Sequence, residues 1–538
     1  MQRTFSATFA QKGNPRPGQK KKGGELGPSR GGPRHMARGP RLCALLAAWA
    51  NFKLYANVLL CASPTVLFGL DQGLIGASMF TMSPELRLAS WQEGLVMGVA
   101  YISGALGGLF CGKLLDYSGR RFTVILAVLL FAGGALACCI STSADLLVLG
   151  RIVMGAGGGI AQVAAPILLA EISPAAHRGA IVSLGEVSEG LGVVWGAVIG
   201  WYYCEMDGGW RYMFGFGIVA PGFILLILLS LFVCESPRWL RVKGRSDEAV
   251  RILRRIAHPE AEMFEKLCKE PLPPDDEATW VELICTGSTK RSRVFYVCAG
   301  VAFWSQACGT EVVIYYSPEL MELPTVKQST LATIFLGLVQ VLCTMIGCLC
   351  FDNIGRRACL LAGTVGIFLS HCATFLGYYL KNEVLNLVGV FGIIIAFSLS
   401  FAALTLVVCT ESFPMRERAK GTALMQCLAR LVMGLSLLVF VAFDGIPAWR
   451  GQIFAVLSCC TFTFIYLFLP ETAGLSLENV AMVYDPDRAP IVYPRAAREC
   501  LDPLLPCLRV RRAAKPAPAK VDESSGLMPR AGVSPQPD

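Results

Sequence analysis

A chain of 538 residues, 54% apolar and only 16% charged, with a mean hydropathy of +0.54, is not a string of soluble domains, which carry about a quarter charged residues. The shortfall lies in long, nearly charge-free runs such as Val58–Phe80, broken only by Asp71, and Met213–Cys234; runs of about 20 apolar residues cross a hydrocarbon core as helices. The net charge of +9 gathers in segments flanking those runs, so a nucleic-acid binder, a soluble enzyme and a secreted disulfide scaffold all fit poorly, and a polytopic membrane protein fits well.

In chain order, residues 1–55 form a basic tail (Lys20, Lys21, Lys22, Arg30, Arg34, Arg38, Arg41) whose lone acid is Glu25. It has no apolar core of the signal-peptide kind. Six helices are then predicted at Ala56–Phe80, Gly94–Lys113, Phe122–Ile140, Leu146–Leu169, Val182–Tyr203 and Met213–Cys234, within a bundle spanning 56–237. A polar segment, 238–292, follows; it is crowded with Arg238, Arg241, Lys243, Arg245, Arg251, Arg254 and Arg255, and holds a helix-like Ser246–Ala257 and the breaker Pro271-Leu-Pro-Pro274. Six more helices are predicted at Arg293–Tyr316, Leu331–Phe351, Ala358–Leu380, Val384–Cys409, Thr422–Phe443 and Ile453–Leu469, in a second bundle spanning 293–478. The tail 479–538, rich in Pro, Ala and Arg, reads as disordered at its end. The distribution of basic residues places both tails and the central segment in the cytosol. Most of the 22 cysteines, such as Cys138, Cys343 and Cys459, lie in apolar runs and read as small buried hydrophobes.

An internal repeat relates the halves. Asp116-Tyr-Ser-Gly-Arg-Arg121 recurs as Asp352-Asn-Ile-Gly-Arg-Arg357, Glu171-Ile-Ser-Pro174 with Arg178 as Glu411-Ser-Phe-Pro414 with Arg418, and Glu235-Ser-Pro237, less closely, as Pro470-Glu-Thr472. Each copy follows the matching helix of its half on the basic side. The predicted fold is therefore all-α and integral to the membrane, with twelve transmembrane helices in two pseudo-symmetric halves enclosing a midplane site.

These motifs, with Gly112-Lys-Leu-Leu-Asp116, Pro166-Ile-Leu-Leu-Ala-Glu171, Glu235-Ser-Pro-Arg-Trp239 and Pro470-Glu-Thr472 followed by Gly474, resemble the sugar porter family of the major facilitator superfamily over about Val58–Glu478. Within it the chain is most similar to proton-coupled polyol and monosaccharide transporters. The resemblance implies a conformational latch, broken when the cytosolic side opens, from Asp116, Arg120, Arg121, Glu171, Arg178, Glu235 and Arg238 in the first half and Asp352, Arg356, Arg357, Glu411 and Arg418 in the second. Solvated loop charges are the plainer reading of any one loop, and exposed pairs contribute only about 0–1 kcal/mol each, so a latch needs a network.

Charges inside the helices are more telling, because each costs roughly 2.5–3.5 kcal/mol at the bilayer centre. Asp71, in Phe68-Gly-Leu-Asp-Gln-Gly73, resembles the proton-coupling aspartate of sugar symporters, and Arg151, opening Arg151-Ile-Val-Met-Gly155, its partner. A carboxylate alternating between an arginine-paired charged form and an unpaired protonated form is a proton switch; a static ion pair is the alternative. Ser305-Gln306-Ala-Cys-Gly-Thr-Glu311, continuing to Tyr315 and Tyr316, resembles the family's sugar-binding segment, with Ser305 and Glu311 departing from its usual amides. Amides and carboxylates suit polyhydroxylated ligands. Gly309 would let the helix break there. Glu186 in the fifth helix matches the polyol type, Glu189 shares its face, and Arg430 could neutralise Glu186, Glu189 or Glu311 across a cavity. The tenth helix lacks the family's Gly-Pro and stacking tryptophan: the run reads Ala402-Ala-Leu-Thr-Leu406, which shifts the expectation from a pyranose towards an acyclic polyol or cyclitol.

The expected function is proton-coupled symport of a polyol, cyclitol or monosaccharide by alternating access, with no cofactor, metal or nucleic acid as partner. Membrane lipid is expected around the chain, with a monomer as the working unit and the plasma membrane as the leading location, an internal membrane being the alternative. A facilitative uniporter, the same fold carrying an amine or zwitterion, and a non-transporting nutrient sensor remain as alternatives. An enzyme has little support: the four histidines are scattered, and the glycine run Gly155–Gly159 lies inside a membrane helix, where close packing explains it.

Overall fold

The structure, a computed structural model, describes residues 40–174, 178–256, 258, 261–268, 283, 289–321, 323–414, 417–442 and 447–472. The remainder of both tails, the Pro271–Pro274 breaker and the side chains of Arg178 and Asp352 lie outside the described residues. Residues up to Trp49 form one compact unit, of which only helical backbone from Pro40 is described, and Ala50 onward forms another.

The described residues hold helices and no strand. The first half contains α1 (Pro40–Leu86), α2 (Ser90–Ser118), α3 (Arg120–Cys139), α4 (Ala144–Ile172), α5 (Arg178–Tyr203) and α6 (Gly209–Phe214), which runs through a π turn at Gly215–Val219 into α7 (Ala220–Phe232). Three short helices follow, α8 (Pro237–Val242), α9 (Ser246–Arg255) and α10 (Ala261–Cys268). The second half contains α11 (Thr289–Ala307), α12 (Thr310–Tyr315), α13 (Ser317–Leu320), α14 (Val326–Ile354), α15 (Arg356–Tyr379), α16 (Glu383–Ser398), α17 (Phe401–Ser412), α18 (Arg418–Ala442) and α19 (Pro447–Phe468). Among the described residues ten spans are long and apolar enough to cross a membrane. The fifth span, α5, carries Glu186 and Glu189, and the twelfth, α19, has the shorter apolar stretch Gln452–Phe468. Together they account for the twelve expected. Several helices overrun their apolar runs, α14 beginning at Val326 rather than Leu331, because backbone hydrogen bonding continues through polar ends that hydropathy does not mark.

Two spans are interrupted. The seventh breaks between α11 and α12 at Gly309, whose φ of 75° is left-handed and whose Cβ, if present, would fall 2.2 Å from the Phe454 ring. His371 of α15 meets the Cys308 carbonyl at this break, 3.1 Å away, so its Nε2 carries the proton and donates. The tenth span was expected as one helix, Val384–Cys409. It breaks instead between α16 and α17, at Ser400 (φ −133°, ψ −78°), without glycine or proline. The Ser400 hydroxyl donates to the Ala396 carbonyl at 2.6 Å, the local competition that bends helices at serine. Gly363 of α15 makes room for it: a Cβ there would lie 2.0 Å from Ser400 Oγ.

The sequence repeat becomes a repeat of hydrogen bonds. Gly119 (φ 91°) joins α2 to α3, and Gly355 (φ 99°) joins α14 to α15. Glu235 accepts from the backbone N–H of Arg120 (2.8 Å) and Arg121 (3.1 Å); Glu471 accepts from Arg356 (2.8 Å) and Arg357 (3.1 Å). Each carboxylate thus caps the positive N-terminal end of its helix. Arg120 forks onto Glu171 with two contacts of 3.1 Å and lies 3.6 Å from Asp116, while Arg356 reaches Glu411 at 3.0 Å. Arg121 donates to the Ser230 carbonyl and Arg357 to that of Tyr466 (2.7 Å), each at the C-terminal end of its half's last span. Arg418 donates to the Phe413 carbonyl at 3.3 Å, and Arg238 is exposed. These contacts staple helices within one half.

Small residues let the helices close up. In the glycine run, a Cβ on Gly155 would lie 2.1 Å from the Ala100 carbonyl oxygen and one on Gly159 1.9 Å from that of Gly104, so this run serves packing against α2. Between halves, α2 meets α18, where Gly98 approaches the Gly434 carbonyl and Gly108 approaches Cys427 Sγ (3.3 Å from an added Cβ), and α5 meets α14, where Gly190 and Gly337 pack on Val341 and Val194. The polar cavity lies between these two seams.

Candidate functional site

Asp71, midway along the Lys53–Leu86 span of α1, and Arg151 of α4 are buried, with 3% and 0% exposure. Arg151 Nη1 lies 2.5 Å from Asp71 Oδ1, its Nε donates to the Val96 carbonyl at 2.9 Å, and its Nη2 is buried without a partner. A pair so placed is held by the absence of any solvated alternative, and removing one member strands the other.

Next to Asp71, Gln72 donates from Nε2 to the Tyr101 hydroxyl (3.1 Å), which pairs with the hydroxyl of Tyr315. Tyr101 belongs to α2 and Tyr315 to α12, so this contact joins the halves beyond the seventh-helix break, on the side away from the arginine clusters. The rings meet edge-on at 5.5 Å. Tyr316 packs against Phe440 at 4.5 Å. Both tyrosines are buried inside the protein.

A polar cavity of about 130 Å³ lies beside Gln72 and Tyr101. Of the expected ligand-binding residues, Glu186 of α5, Gln306 of α11, Glu311 of α12 and Arg430 of α18 line it, and Glu189 of α5 joins them. Glu189 accepts from Gln162 Nε2 at 2.7 Å, and Arg430 stacks its guanidinium over Phe68 at 5.1 Å while within electrostatic reach of all three glutamates. Gln306 Oε1 and Glu311 Oε2 are buried with no hydrogen-bond partner. Ser305 is not among the lining residues: its hydroxyl donates into its own helix, to the Ala302 carbonyl (2.9 Å). Asp71 and Arg151 lie behind the lining, reached through Gln72 and Tyr101.

Sequence reasoning passed over Gln72, Tyr101, Gln162, Gln340 and Gln426, all of which line the cavity. Their signal was available, an amide or phenol inside an apolar run, but amides cost far less than charges to bury and so stand out less. The roomier cleft, about 590 Å³ on the outer face of α2 and α4, is lined by Leu106, Phe110, Ile152 and similar side chains. It offers a polar solute almost no hydrogen bonds.

A family model described as "Sugar (and other) transporter" matches residues 44–484. The chain belongs to this sugar transporter family. Putative polyol transporter 1 of Arabidopsis thaliana is 30% identical over 465 residues, covering 80% of this chain and 91% of that one. The glucose transporter GlcP of Staphylococcus epidermidis is 28% identical over 79% of this chain and 96% of its own. The inward-open structure of the xylose transporter XylE from E. coli superposes with a TM-score of 0.69 at 23% identity, over 80% of this chain and 99% of that one; this likeness establishes the major facilitator fold.

Against the family pattern, the tenth span needs correction on one point. Leu406 does line the cavity where a stacking tryptophan was missed, yet Phe401 and Phe397, stacked at 6.3 Å, line it from the break one turn earlier. The cavity thus has an aromatic surface of two phenylalanines beside the run that lacks the tryptophan.

Proposed function

We propose that the chain is a secondary transporter that moves a polyol, cyclitol or monosaccharide together with protons by alternating access between its halves. The observation that carries this reading is the pair of buried, unpartnered acceptors, Gln306 Oε1 and Glu311 Oε2, in a polar cavity between the halves. A buried acceptor left unmade costs about 1–3 kcal/mol, and a polyhydroxylated solute supplies O–H donors to relieve it. The similar proteins described as polyol and glucose transporters agree with that chemistry.

In this reading Asp71 carries the coupled proton. Protonation removes the charge that holds Arg151; deprotonation restores the pair. Gln72 and Tyr101 link this event to the cavity and to the Tyr315 gate. Of the residues expected to form a latch that breaks on opening, Arg120 with Glu171, Arg356 with Glu411, and the cap Glu235 make contacts within one half, and in this reading they keep each half rigid so that the halves rock as units. The distribution of basic residues supports cytosolic termini, and the reading puts the chain in the plasma membrane, with an internal membrane as the alternative, surrounded by lipid and working as a monomer without nucleic-acid partners.

The test is uptake of labelled hexoses, pentoses, linear polyols and inositols into proteoliposomes, with and without an imposed pH gradient. Accumulation that follows the gradient supports symport. Equilibration indifferent to the gradient supports a uniporter, and uptake of no member of the panel overturns the reading.

A further inference from the structure

The cavity's hydrogen-bonding groups suit a polyol, but its charges do not balance around a neutral one. Glu186, Glu189 and Glu311 line it, while Arg430 is the one cation lining it among the described residues. Arg430 offsets a single carboxylate and is shared among three. Gln162 gives Glu189 a hydrogen bond but no charge. Hydroxyl groups of a neutral solute would fill the open acceptors but bring no charge, so the carboxylates in excess of Arg430 would escape the cost of a buried charge only by taking up protons, whereas a cationic solute would neutralise one of them directly.

Resting on the transport reading above and narrowing its substrate, we propose that the favoured solute carries a protonated amine, as an amino-substituted polyol or amino sugar does. An ammonium group brings three N–H donors and one positive charge. Glu311 Oε2 and Gln306 Oε1, both buried and both open, are acceptors for two of those donors, and the first gains a charge-assisted bond. The aromatic surface fits as well: Phe401 lines the same cavity, and a ring face attracts a cation. The hydroxylated remainder of the solute would meet the amides of Gln340 and Gln426.

The experiment uses the full-length transporter in proteoliposomes and pairs of competitors differing only in amine for hydroxyl: glucosamine against glucose, and 1-amino-1-deoxysorbitol against sorbitol. At a pH where the amine is charged, each amine should inhibit uptake of the best labelled neutral solute at about a tenfold lower concentration than its partner, the ratio expected for about 1.4 kcal/mol. Glu311→Gln and, separately, Glu186→Gln should shrink this amine-to-hydroxyl ratio towards one. The ratio is internal to each protein, so poor expression of one variant does not obscure it. Amines that compete no better than their neutral partners in the unaltered protein overturn the proposal while leaving polyol or sugar transport standing. Uptake of neither class overturns both.

Discussion

Arg151 holds Asp71 with one guanidinium nitrogen and leaves another, Nη2, buried without a partner. Removing the carboxylate's charge should therefore release an arginine already under-satisfied, which makes Asp71→Asn a sharp test of coupling. We expect it to abolish accumulation against a gradient while solute exchange persists; unchanged uphill uptake would exclude Asp71 as the coupling site. Gln306→Ala removes a donor and an acceptor from the cavity. Where its ligand partner is left unsatisfied the cost is about 1–3 kcal/mol, so the apparent substrate constant should rise roughly 5- to 150-fold. Wild-type affinity in that variant would place the solute away from the seventh helix. The residues behind both predictions were legible in the sequence because a charge, or a glutamine inside a recognisable motif, is conspicuous among apolar neighbours. Gln162, Gln340 and Gln426 were not, since an isolated amide looks the same whether it faces a cavity, a helix seam or a headgroup.

At the scale of the helix, the breaks position the site. Gly309 announced one of them by its residue type, since only glycine accepts a positive φ with an aromatic ring pressed against its Cα. The break at Ser400 had no such sign, because it arises from a serine hydroxyl folding back on Ala396 and from space left by Gly363, a residue distant in sequence. Glu235 and Glu471 were legible as motif acids, but their work as caps was not: the donors they serve are backbone N–H groups, identical at every position. His371 illustrates the same blindness, reading as one scattered histidine until the fold brings it to Cys308. We expect His371→Ala to strand the Cys308 carbonyl and lower stability by about 1–3 kcal/mol, with slower transport. His371→Gln, which retains a donor, should recover part of both. Thermal unfolding in detergent and initial uptake rates would check this, and an alanine variant indistinguishable from the parent on both would show that His371 does not support the break.

Across the whole molecule, the two seams are where glycines bring the helices of the two halves close together, and rocking of the halves would have to slide or part them. The α2–α18 contact gives a way to observe it. An added Cβ at Gly108 would lie 3.3 Å from Cys427 Sγ, so Gly108→Cys places two thiols within disulfide reach. Mild oxidation should then link the halves and arrest uptake, and a reductant should restore it. Continued full transport in a demonstrably cross-linked protein would mean that this seam does not open during the cycle.

The staples at Gly119 and Gly355 bear on how such a chain is made. Each carboxylate cap and each forked arginine contact closes on its own side of the central segment. During synthesis the leading six spans can therefore settle the capped ends around Gly119 before the trailing six leave the ribosome. The polar central segment then acts as a tether holding a finished piece near an unfinished one. Severing that tether and co-expressing the two pieces should still give a working carrier, whose uptake would depend on both being present in the same membrane.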